Sequence, residues 1–172
     1  MARNDKDFLG LEVVSLEDAS VIGEVDGLIV DETANAVVGF VLDLGIYEAK
    51  ALAFSDVVSV GDDAVMIGSA QVVKPISQHD RLRDIAEREI EVSDALAITD
   101  KGNVVGVIGD YYVDPATGAL EGLEVVFDED GDGPEGPSAS IVPIDQVIRI
   151  GSDLVMLKDG FESRAVDSGE AL

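Results

Sequence analysis

The sequence of 172 residues contains no cysteine and only one histidine. The lack of cysteine excludes disulfide bonds, thiolate metal sites and thiol nucleophiles. A zinc site or a histidine-based catalytic dyad also needs partner residues that one histidine without cysteine does not readily provide. We therefore predict no catalytic residues and no cofactor, and we expect that the protein is not an enzyme.

Basic residues are scarce, with 11 Lys and Arg against 36 Asp and Glu, which gives a formal net charge of -25. A surface of this charge repels a phosphate backbone, so we expect no nucleic-acid partner. Solubility, or adaptation to a saline cytoplasm in which charges are screened within about 3 Å at 1 M salt, explains the acidity better than a specific cationic partner does.

Long apolar runs are also missing. No stretch approaches the roughly 20 apolar residues that are needed to span a bilayer. The first seven residues include polar and charged side chains and have no apolar core behind them, so they do not resemble a secretory signal. We expect a cytoplasmic protein without a membrane span. With 47% hydrophobic residues, the chain nevertheless has enough apolar surface to fold as a globular protein.

Two parts of the chain resemble each other. A shift of 83 residues places residues 21–40 on residues 104–123. Six positions are then identical: Val21, Gly23, Val30, Asp31, Ala36 and Gly39 coincide with Val104, Gly106, Val113, Asp114, Ala119 and Gly122. Because an internal repeat determines the architecture of a chain, we predict two copies of one fold.

A second block of similarity needs a shift of 90 residues. It places Val57, Gly61, Asp63, Val65 and Met66 on Val147, Gly151, Asp153, Val155 and Met156. The larger shift indicates an insertion in the second copy, where residues 128–138 correspond to residues 43–50 of the first. We expect that the loop length differs between the copies while the flanking strands are the same.

The turns between the short apolar segments support this alignment. Pro115 presets φ at about -65° and Gly118 accepts a left-handed backbone conformation, as expected in a hairpin turn. Asn35 occupies the Gly118 position in the first copy, and Asn also tolerates this conformation. Short strands with regularly spaced turns predict a sandwich or a barrel, and glycines within strands, such as Gly23 and Gly106, favour a barrel.

Residues 77–90 lack Gly and Pro and form a predicted helix between the copies. Leu82, Ile85 and Ala86 share one face at spacings of three and four residues, so we expect this face to dock on a barrel. Ser77 and Asp80 resemble a helix cap.

Three of the six arginines, Arg81, Arg83 and Arg88, lie in this predicted helix among carboxylates. We interpret them as members of ion pairs on the helix surface. A basic spot that binds a partner is the alternative.

The motifs of both copies resemble the PRC-barrel domain. In the first copy they are Gly10-Leu11-Glu12-Val13, Gly23-Glu24-Val25-Asp26 and Leu28-Ile29-Val30-Asp31. In the second copy they are Gly106-Val107-Ile108, Asp110-Tyr111-Tyr112-Val113-Asp114-Pro115, Thr117-Gly118 and Val142-Pro143-Ile144-Asp145-Gln146-Val147. This domain family is named for the photosynthetic reaction centre H subunit. It also includes the C-terminal barrel of a ribosome maturation factor. Two positions depart from the pattern: Ala53 replaces the proline in the first copy, and Ser93 replaces the opening glycine in the second.

The resemblance covers almost the whole chain and implies a tandem arrangement. We predict a mainly β protein with two tandem PRC-like small antiparallel β-barrels, each around its own apolar centre, joined by a short α-helix. The predicted domains are residues 1–74 for the first barrel, 75–91 for the helical linker, 92–159 for the second barrel and 160–172 for a flexible acidic tail. The family has no common catalytic residues, so the resemblance assigns no site.

The acidic insert contains the only candidate metal ligands. Asp128, Asp130 and Asp132 lie at alternate positions and are followed by glycine, as in the first half of a calcium loop. The second half does not match, because Ala139 stands where the bidentate Glu belongs. We favour a solvated acidic hairpin tip over a Ca²⁺ site.

Two further features have a structural and a functional interpretation. His79 is expected to lie exposed at the start of the predicted helix. The pair Tyr111-Tyr112 predicts one ring inside the barrel and one outside, since successive residues of a strand point to opposite faces. An exposed Tyr ring could alternatively anchor a partner.

These observations favour a non-enzymatic adaptor of the PRC-barrel type that binds another protein through an unidentified surface. A homo-oligomer is compatible with this interpretation. The alternatives are a calcium- or salt-responsive regulator that uses residues 128–136, and an unrecognised hydrolase.

Overall fold

The protein is described by a computed structural model over residues 1–42, 48–127 and 138–165. Within these residues the chain is mainly β, as predicted, and forms two sheets. The insert at residues 128–137 lies outside the described residues.

The first sheet is built from the first half of the chain. After the short strand β1 (Arg3–Asn4) come β2 (Glu12–Ser15), β3 (Val21–Asp31), β4 (Ala36–Leu42), β5 (Lys50–Ala53), β6 (Val57–Val60), β7 (Ala64–Ile67) and β8 (Lys74–Pro75). Seven of them are hydrogen-bonded in the order β6-β7-β2-β3-β4-β5-β8.

The second sheet follows helix α1 (Asp80–Ala86). Its strands are β9 (Leu96–Thr99), β10 (Val104–Val113), β11 (Leu120–Phe127), β12 (Ala139–Pro143), β13 (Val147–Ile150), β14 (Leu154–Leu157) and β15 (Arg164–Ala165). Their order is β13-β14-β9-β10-β11-β12-β15, and β1 from the chain start pairs with the end of β10.

Strand pairing follows the same register in both sheets. Equivalent pairs are Val30–Val37 and Val113–Leu120, Phe40–Leu52 and Leu123–Val142, and Val60–Val65 and Ile150–Val155. Residue numbers in the pair Val113–Leu120 exceed those in Val30–Val37 by 83. For residues beyond β4 and β11 the difference between the two sheets is 90. The segments 21–40 and 104–123 therefore form equivalent strand pairs, in agreement with the sequence repeat.

No closed barrel is found in the described part of the chain, so the predicted pair of antiparallel barrels needs correction. The hydrogen-bonded order of the first sheet ends at β6 and β8, and that of the second ends at β13 and β15. The pairs β2–β7 and β9–β14 are parallel. This is possible because several strands separate each pair along the chain, whereas a tight hairpin would force the antiparallel arrangement.

Turns at equivalent places use the same left-handed backbone. Asn35 has φ 47° and Gly118 has φ 79°, as the turn chemistry predicts.

A second equivalence corrects the sequence alignment by one residue. Gly10 (φ 82°) corresponds to Asp94 (φ 67°), and their backbone N–H groups donate to the carbonyls of Val25 and Ile108, both at 2.8 Å. The predicted partner of Gly10, Ser93, is wrong. Asp is among the few non-glycine residues that adopt this conformation, which explains why the glycine is not retained.

Most buried apolar residues of both sheets belong to one contact cluster, so the prediction of two separate apolar centres is wrong. Its largest fully buried side chains include Phe8, Phe40, Leu42, Leu52, Ile67, Ile108, Leu123, Ile150 and Leu157. The rings of Phe8 and Phe40 stack with centroids 6.0 Å apart. A unit of about 70 residues buries little apolar surface alone, and a shared core compensates for this.

Helix α1 is shorter than the predicted segment 77–90. It begins after His79, and no side chain provides the predicted cap. Leu82 and Ile85 pack, as predicted, on the outer side of the first sheet in a small cluster with Ile29 and Ala51. The helix ends at Ala86 because the chain beyond it turns to bury Ile90 and Val92 in the main cluster.

The two sheets meet at the tips of the β3–β4 and β10–β11 hairpins. The contacts are a backbone bridge between Ala36 and Ala119, a hydrogen bond from Val37 N–H to the Gly118 carbonyl (2.7 Å) and one from Leu120 N–H to the Asn35 carbonyl (2.8 Å). Ala36 and Ala119 are equivalent positions of the repeat, and the two hydrogen bonds are equivalent to each other. The junction is therefore reciprocal, like an isologous dimer interface within one chain.

The N-terminal segment fastens the two sheets together. Arg3 donates to the Gly61 carbonyl at 2.7 Å in the first sheet, and its backbone pairs with Val113 in the second. The Asp5 carboxylate accepts a hydrogen bond from Tyr111 N–H at 3.1 Å. At the other end of the chain, Arg164–Ala165 adds a short strand to the second sheet within the predicted tail.

Candidate interaction face

Alternation along the strands of the second sheet creates an apolar outer face. On β9, Ala97 and Thr99 are buried, while Leu96 and Ile98 lie on the other side of the strand. On β14, Val155 and Leu157 are buried in the same way. The buried residues belong to the core side of the sheet, so their neighbours point away from it.

Six apolar side chains form two rows across this outer face. Strand register places Val107, Leu96 and Leu154 in one row and Val104, Ile98 and Met156 in the next. We call these six residues the second face. Val104, Leu96 and Val107 are 64%, 41% and 39% exposed. Contiguous exposed apolar side chains are uncommon on soluble monomers and typically mark interaction sites.

The equivalent surface of the first sheet, which we call the first face, has a different composition. Its rows are Glu24, Glu12 and Ala64, and Val21, Val14 and Met66. The second rows of the two faces are both apolar. The first rows differ, because two glutamates stand where the second face has valine and leucine.

Glu12 and Glu24 lie directly opposite each other on antiparallel strands, and both are exposed. Neither has an ion pair with any residue that the structure describes. Like charges at directly opposed positions destabilise a sheet. The first face therefore carries a negative charge that nothing in the described chain compensates.

Two basic side chains flank the second face. Arg149 is the register partner of Met156, and Lys158 follows directly after β14. Neither forms an ion pair within residues 1–42, 48–127 and 138–165. The equivalent residues beside the first face are Ser59 and Gly68. The second face thus combines an apolar centre with positive charge at its margin, in a chain of net charge -25.

The arginines of the predicted linker form ion pairs, as the favoured interpretation expects. Arg83 lies 3.6 Å from Asp84 and 3.8 Å from Asp80. Arg88 contacts Glu32 at 2.9 Å and lies 3.6 Å from the buried Asp31 on the first sheet.

Arg81 also faces Asp31, at 3.8 Å. Arg81 in α1 and Arg88 just beyond its end thus connect the helical segment to the first sheet, whereas the Arg83 pairs lie within that segment.

His79 is partly buried, whereas the sequence predicted an exposed residue. It lines a groove of about 450 Å³ between the start of α1 and the β3–β4 hairpin, together with Phe54 and Thr117. Its Nε2 atom is buried and has no hydrogen-bond partner in the described chain. The ring packs at the helix start because the short turn at Ile76–Gln78 brings it against the sheet.

Tyr111 and Tyr112 point to opposite sides, as predicted. Tyr111 is buried in the core, and burial together with the nearby Asp5 carboxyl raises its pKa. Tyr112 is partly buried beside Asn4 and Glu124, so it offers no free ring at the surface.

Carboxyl groups of three elements meet beside these tyrosines. Burial raises the pKa of Asp5 and of Glu124, and the neighbouring Asp110 charge raises both further. Burial also opposes the charge of Asp110, but the Lys6 ammonium and the Asn4 amide outweigh it and lower its pKa. This cluster attaches the N-terminal segment to β10.

The predicted metal ligands Asp128, Asp130 and Asp132 lie outside the described residues, so the calcium site stays a prediction. Among the residues that are described, no group of His, Asp and Glu is arranged to hold a metal ion. Within the same residues, no helix has the length and apolar character needed to cross a membrane.

Sequence reasoning missed the second face, although a signal was present. Once β2 is aligned with β9 at an offset of 84, Glu12 falls on Leu96, and Glu24 falls on Val107 at the neighbouring offset of 83. The replacement of two outward-facing glutamates in the first sheet by leucine and valine in the second is recognisable only when the strand register is known.

Comparisons with known proteins identify the family of the first half of the chain. A search of curated proteins finds no match. Residues 2–71, which include strands β1 to β7, match the family model of the PRC-barrel domain. The chain therefore contains a PRC-barrel domain at residues 2–71.

Proposed function

We propose that the chain is a non-enzymatic, cytoplasmic adaptor built from two PRC-type units, and that it binds a protein partner through the second face. A PRC-barrel domain at residues 2–71 suggests a non-enzymatic module in general terms. The adaptor role and the second unit are our extension of that finding.

Equivalent pairing supports a second PRC-type unit at residues 92–165. Both sheets have the same strand order, the same parallel pair and matching register. Equivalent turns adopt left-handed conformations at Gly10 and Asp94 and at Asn35 and Gly118. Two unrelated folds would not share these details along their whole length.

The row of Val107, Leu96 and Leu154, in which Val107 and Leu96 are exposed, carries the proposed function. The first unit has Glu24, Glu12 and Ala64 at these positions, so the backbone does not require apolar side chains there. Exposed apolar side chains on a rigid sheet lose little conformational entropy on binding and can become the buried centre of an interface. A partner that covers this row gains their transfer from water.

A crosslinking pull-down with the full chain tests this function. The tagged protein is crosslinked in the cells that produce it, and the wild type is compared with Leu96→Glu and Leu9→Glu. Leu96→Glu places on the second face the residue that Glu12 provides at the equivalent position, so the fold should accept it. Leu9 is 45% exposed, close to the 41% of Leu96, belongs to neither face and serves as the matched control.

We expect one stoichiometric protein partner with the wild type and with Leu9→Glu, and a loss of at least about tenfold with Leu96→Glu, as for a hot-spot residue. Circular dichroism confirms that each variant is folded. Equal recovery of the partner with Leu96→Glu would show that the second face is not the binding surface.

A further inference from the structure

The second face needs a partner with two properties. Its apolar rows require an apolar counterpart, because a polar surface would lose hydration without compensation. The unpaired charges of Arg149 and Lys158 at its margin favour acidic side chains on the partner. A purely apolar partner would leave these two charges partly desolvated.

The first face has both properties. Its apolar row consists of Val21, Val14 and Met66, and Val21 is 57% exposed. Its acidic row presents Glu12 and Glu24, whose mutual repulsion no cation of the described chain relieves. Basic side chains of another molecule would relieve it.

We propose that the second face binds the first face of another copy of this chain, so that molecules associate head to tail. This inference rests on the proposed function, since it names the partner of the same surface. The contact places Arg149 and Lys158 of one molecule beside Glu12 and Glu24 of the next.

The two faces lie away from the junction between the sheets, so each can contact another molecule. The contact can therefore repeat from one molecule to the next. Strands β3 and β10 start at the faces, with Val21 and Val104, and end at the hairpins where the two sheets join. The seven steps from Glu24 to Asp31, at about 3.3 Å each, separate the first face from the junction by roughly 20 Å. Both faces therefore remain accessible, and a contact between unlike faces repeats without closing unless the rotation forms a ring.

The net charge of -25 opposes association of two copies. This repulsion is screened beyond about 8 Å at physiological ionic strength, whereas contacts at the interface are screened less. Local complementarity therefore decides the result, and we expect reversible association that grows with protein concentration.

Sedimentation velocity of the full chain at physiological ionic strength, over a broad range of concentration, tests the proposal. Leu96→Glu disables the second face, and Glu24→Lys disables the first face, because the new cation offsets the charge of Glu12 and repels Arg149 and Lys158 of the other molecule. Each variant alone should remain a monomer at concentrations where the wild type forms dimers and longer chains. Thermal unfolding of both variants verifies that they are folded.

Mixing the two variants is the decisive step. The Leu96→Glu molecule retains an intact first face, and the Glu24→Lys molecule retains an intact second face. The mixture should form a one-to-one dimer and nothing longer, because the remaining two faces are disabled. An isologous contact between two second faces would instead leave Glu24→Lys associating like the wild type.

Either of two results overturns the head-to-tail inference: monomers only for the wild type at every concentration, or association of Glu24→Lys alone. The proposed function has its own readout, because the pull-down would recover a different protein whose binding depends on Leu96 but not on Leu9. If the wild type does not self-associate and the pull-down recovers such a protein, the head-to-tail inference is refuted and the proposed function is supported.

Discussion

Comparison of the two sheets separates what the fold requires from what it leaves open. Strand order, register and the left-handed turns are equivalent in both, and these features involve the backbone and inward-facing side chains. The outer faces differ, with Glu12 and Glu24 in one and Leu96 and Val107 in the other. Positions that a fold leaves free can diverge, so function is best sought where equivalent surfaces differ.

The largest expected difference concerns two equivalent glycines. A Cβ at Gly106 would lie 2.1 Å from the carbonyl oxygen of Val126, while a Cβ at Gly23 would meet the Leu42 side chain at 3.1 Å. We expect Gly106→Ala to reduce the free energy of unfolding by about 3 kcal/mol, and Gly23→Ala by at most about 1 kcal/mol. Urea unfolding of both variants measures this. Equal losses would contradict the different packing of the two strands.

The next largest difference in stability is expected when the equivalent aspartates of the two hairpins, Asp31 and Asp114, are replaced. Asp31 is 4% exposed and faces Arg88, whereas Asp114 is only partly buried. Removing a buried hydrogen-bonded charge costs more than removing an exposed one, so we expect about 3 kcal/mol for Asp31→Ala and about 1 kcal/mol for Asp114→Ala. Thermal unfolding of the two variants compares them, and a larger effect at Asp114 would invert the expected order.

The same two aspartates should also influence how the stability of the protein depends on pH. Burial opposes the charge of Asp31, but hydrogen bonds from Thr33 and Ala34 outweigh it and lower its pKa. Hydrogen bonds from Ala116 lower the pKa of Asp114. A carboxyl with a lowered folded pKa stabilises the protein above its unfolded pKa of about 3.9, and this contribution is lost as the pH falls through the folded pKa.

We therefore expect wild-type stability to fall below about pH 4, and to fall less steeply in Asp31→Asn, which no longer titrates. The raised pKa values of Asp5 and Glu124 act in the opposite direction as these groups take up protons. Denaturant unfolding between neutral and acidic pH measures the slopes. An unchanged slope in Asp31→Asn would show that this carboxyl has no such role.

The smallest effect is expected at the outer faces themselves. Glu12→Gln removes the repulsion with Glu24 and should stabilise the isolated protein by about 0.5 kcal/mol. Glu121→Gln, at an exposed position of β11, is the matched control and should change little. A destabilised Glu12→Gln variant would indicate an intramolecular partner for that charge.

Much of the fold was predictable from the sequence because it depends on local patterns. The repeat, the hairpin turn with Asn35 or Gly118 and the docking of Leu82 and Ile85 follow from residue spacing and turn chemistry. The one-residue error at Ser93 arose because β2 and β9 align at a different offset from β3 and β10.

The junction and the shared core were not predictable in the same way. Hydrogen bonds between the backbones of Val37 and Gly118 leave no mark on the side chains. Helix α1 ends early because burial of Ile90 and Val92 outweighs helix propensity, which is a tertiary effect. The second face also needed tertiary information, since its residues come from three strands.

Photocrosslinking from the second face is the most direct test of its role. A photoreactive amino acid replaces Leu96 in the full chain, and a second variant carries it at the exposed Glu121 as a control. We predict a defined protein adduct from position 96 that is absent from position 121 and is lost when Val107→Glu is added. No adduct from position 96, or one that persists with Val107→Glu, would contradict the assignment of the second face as the binding surface.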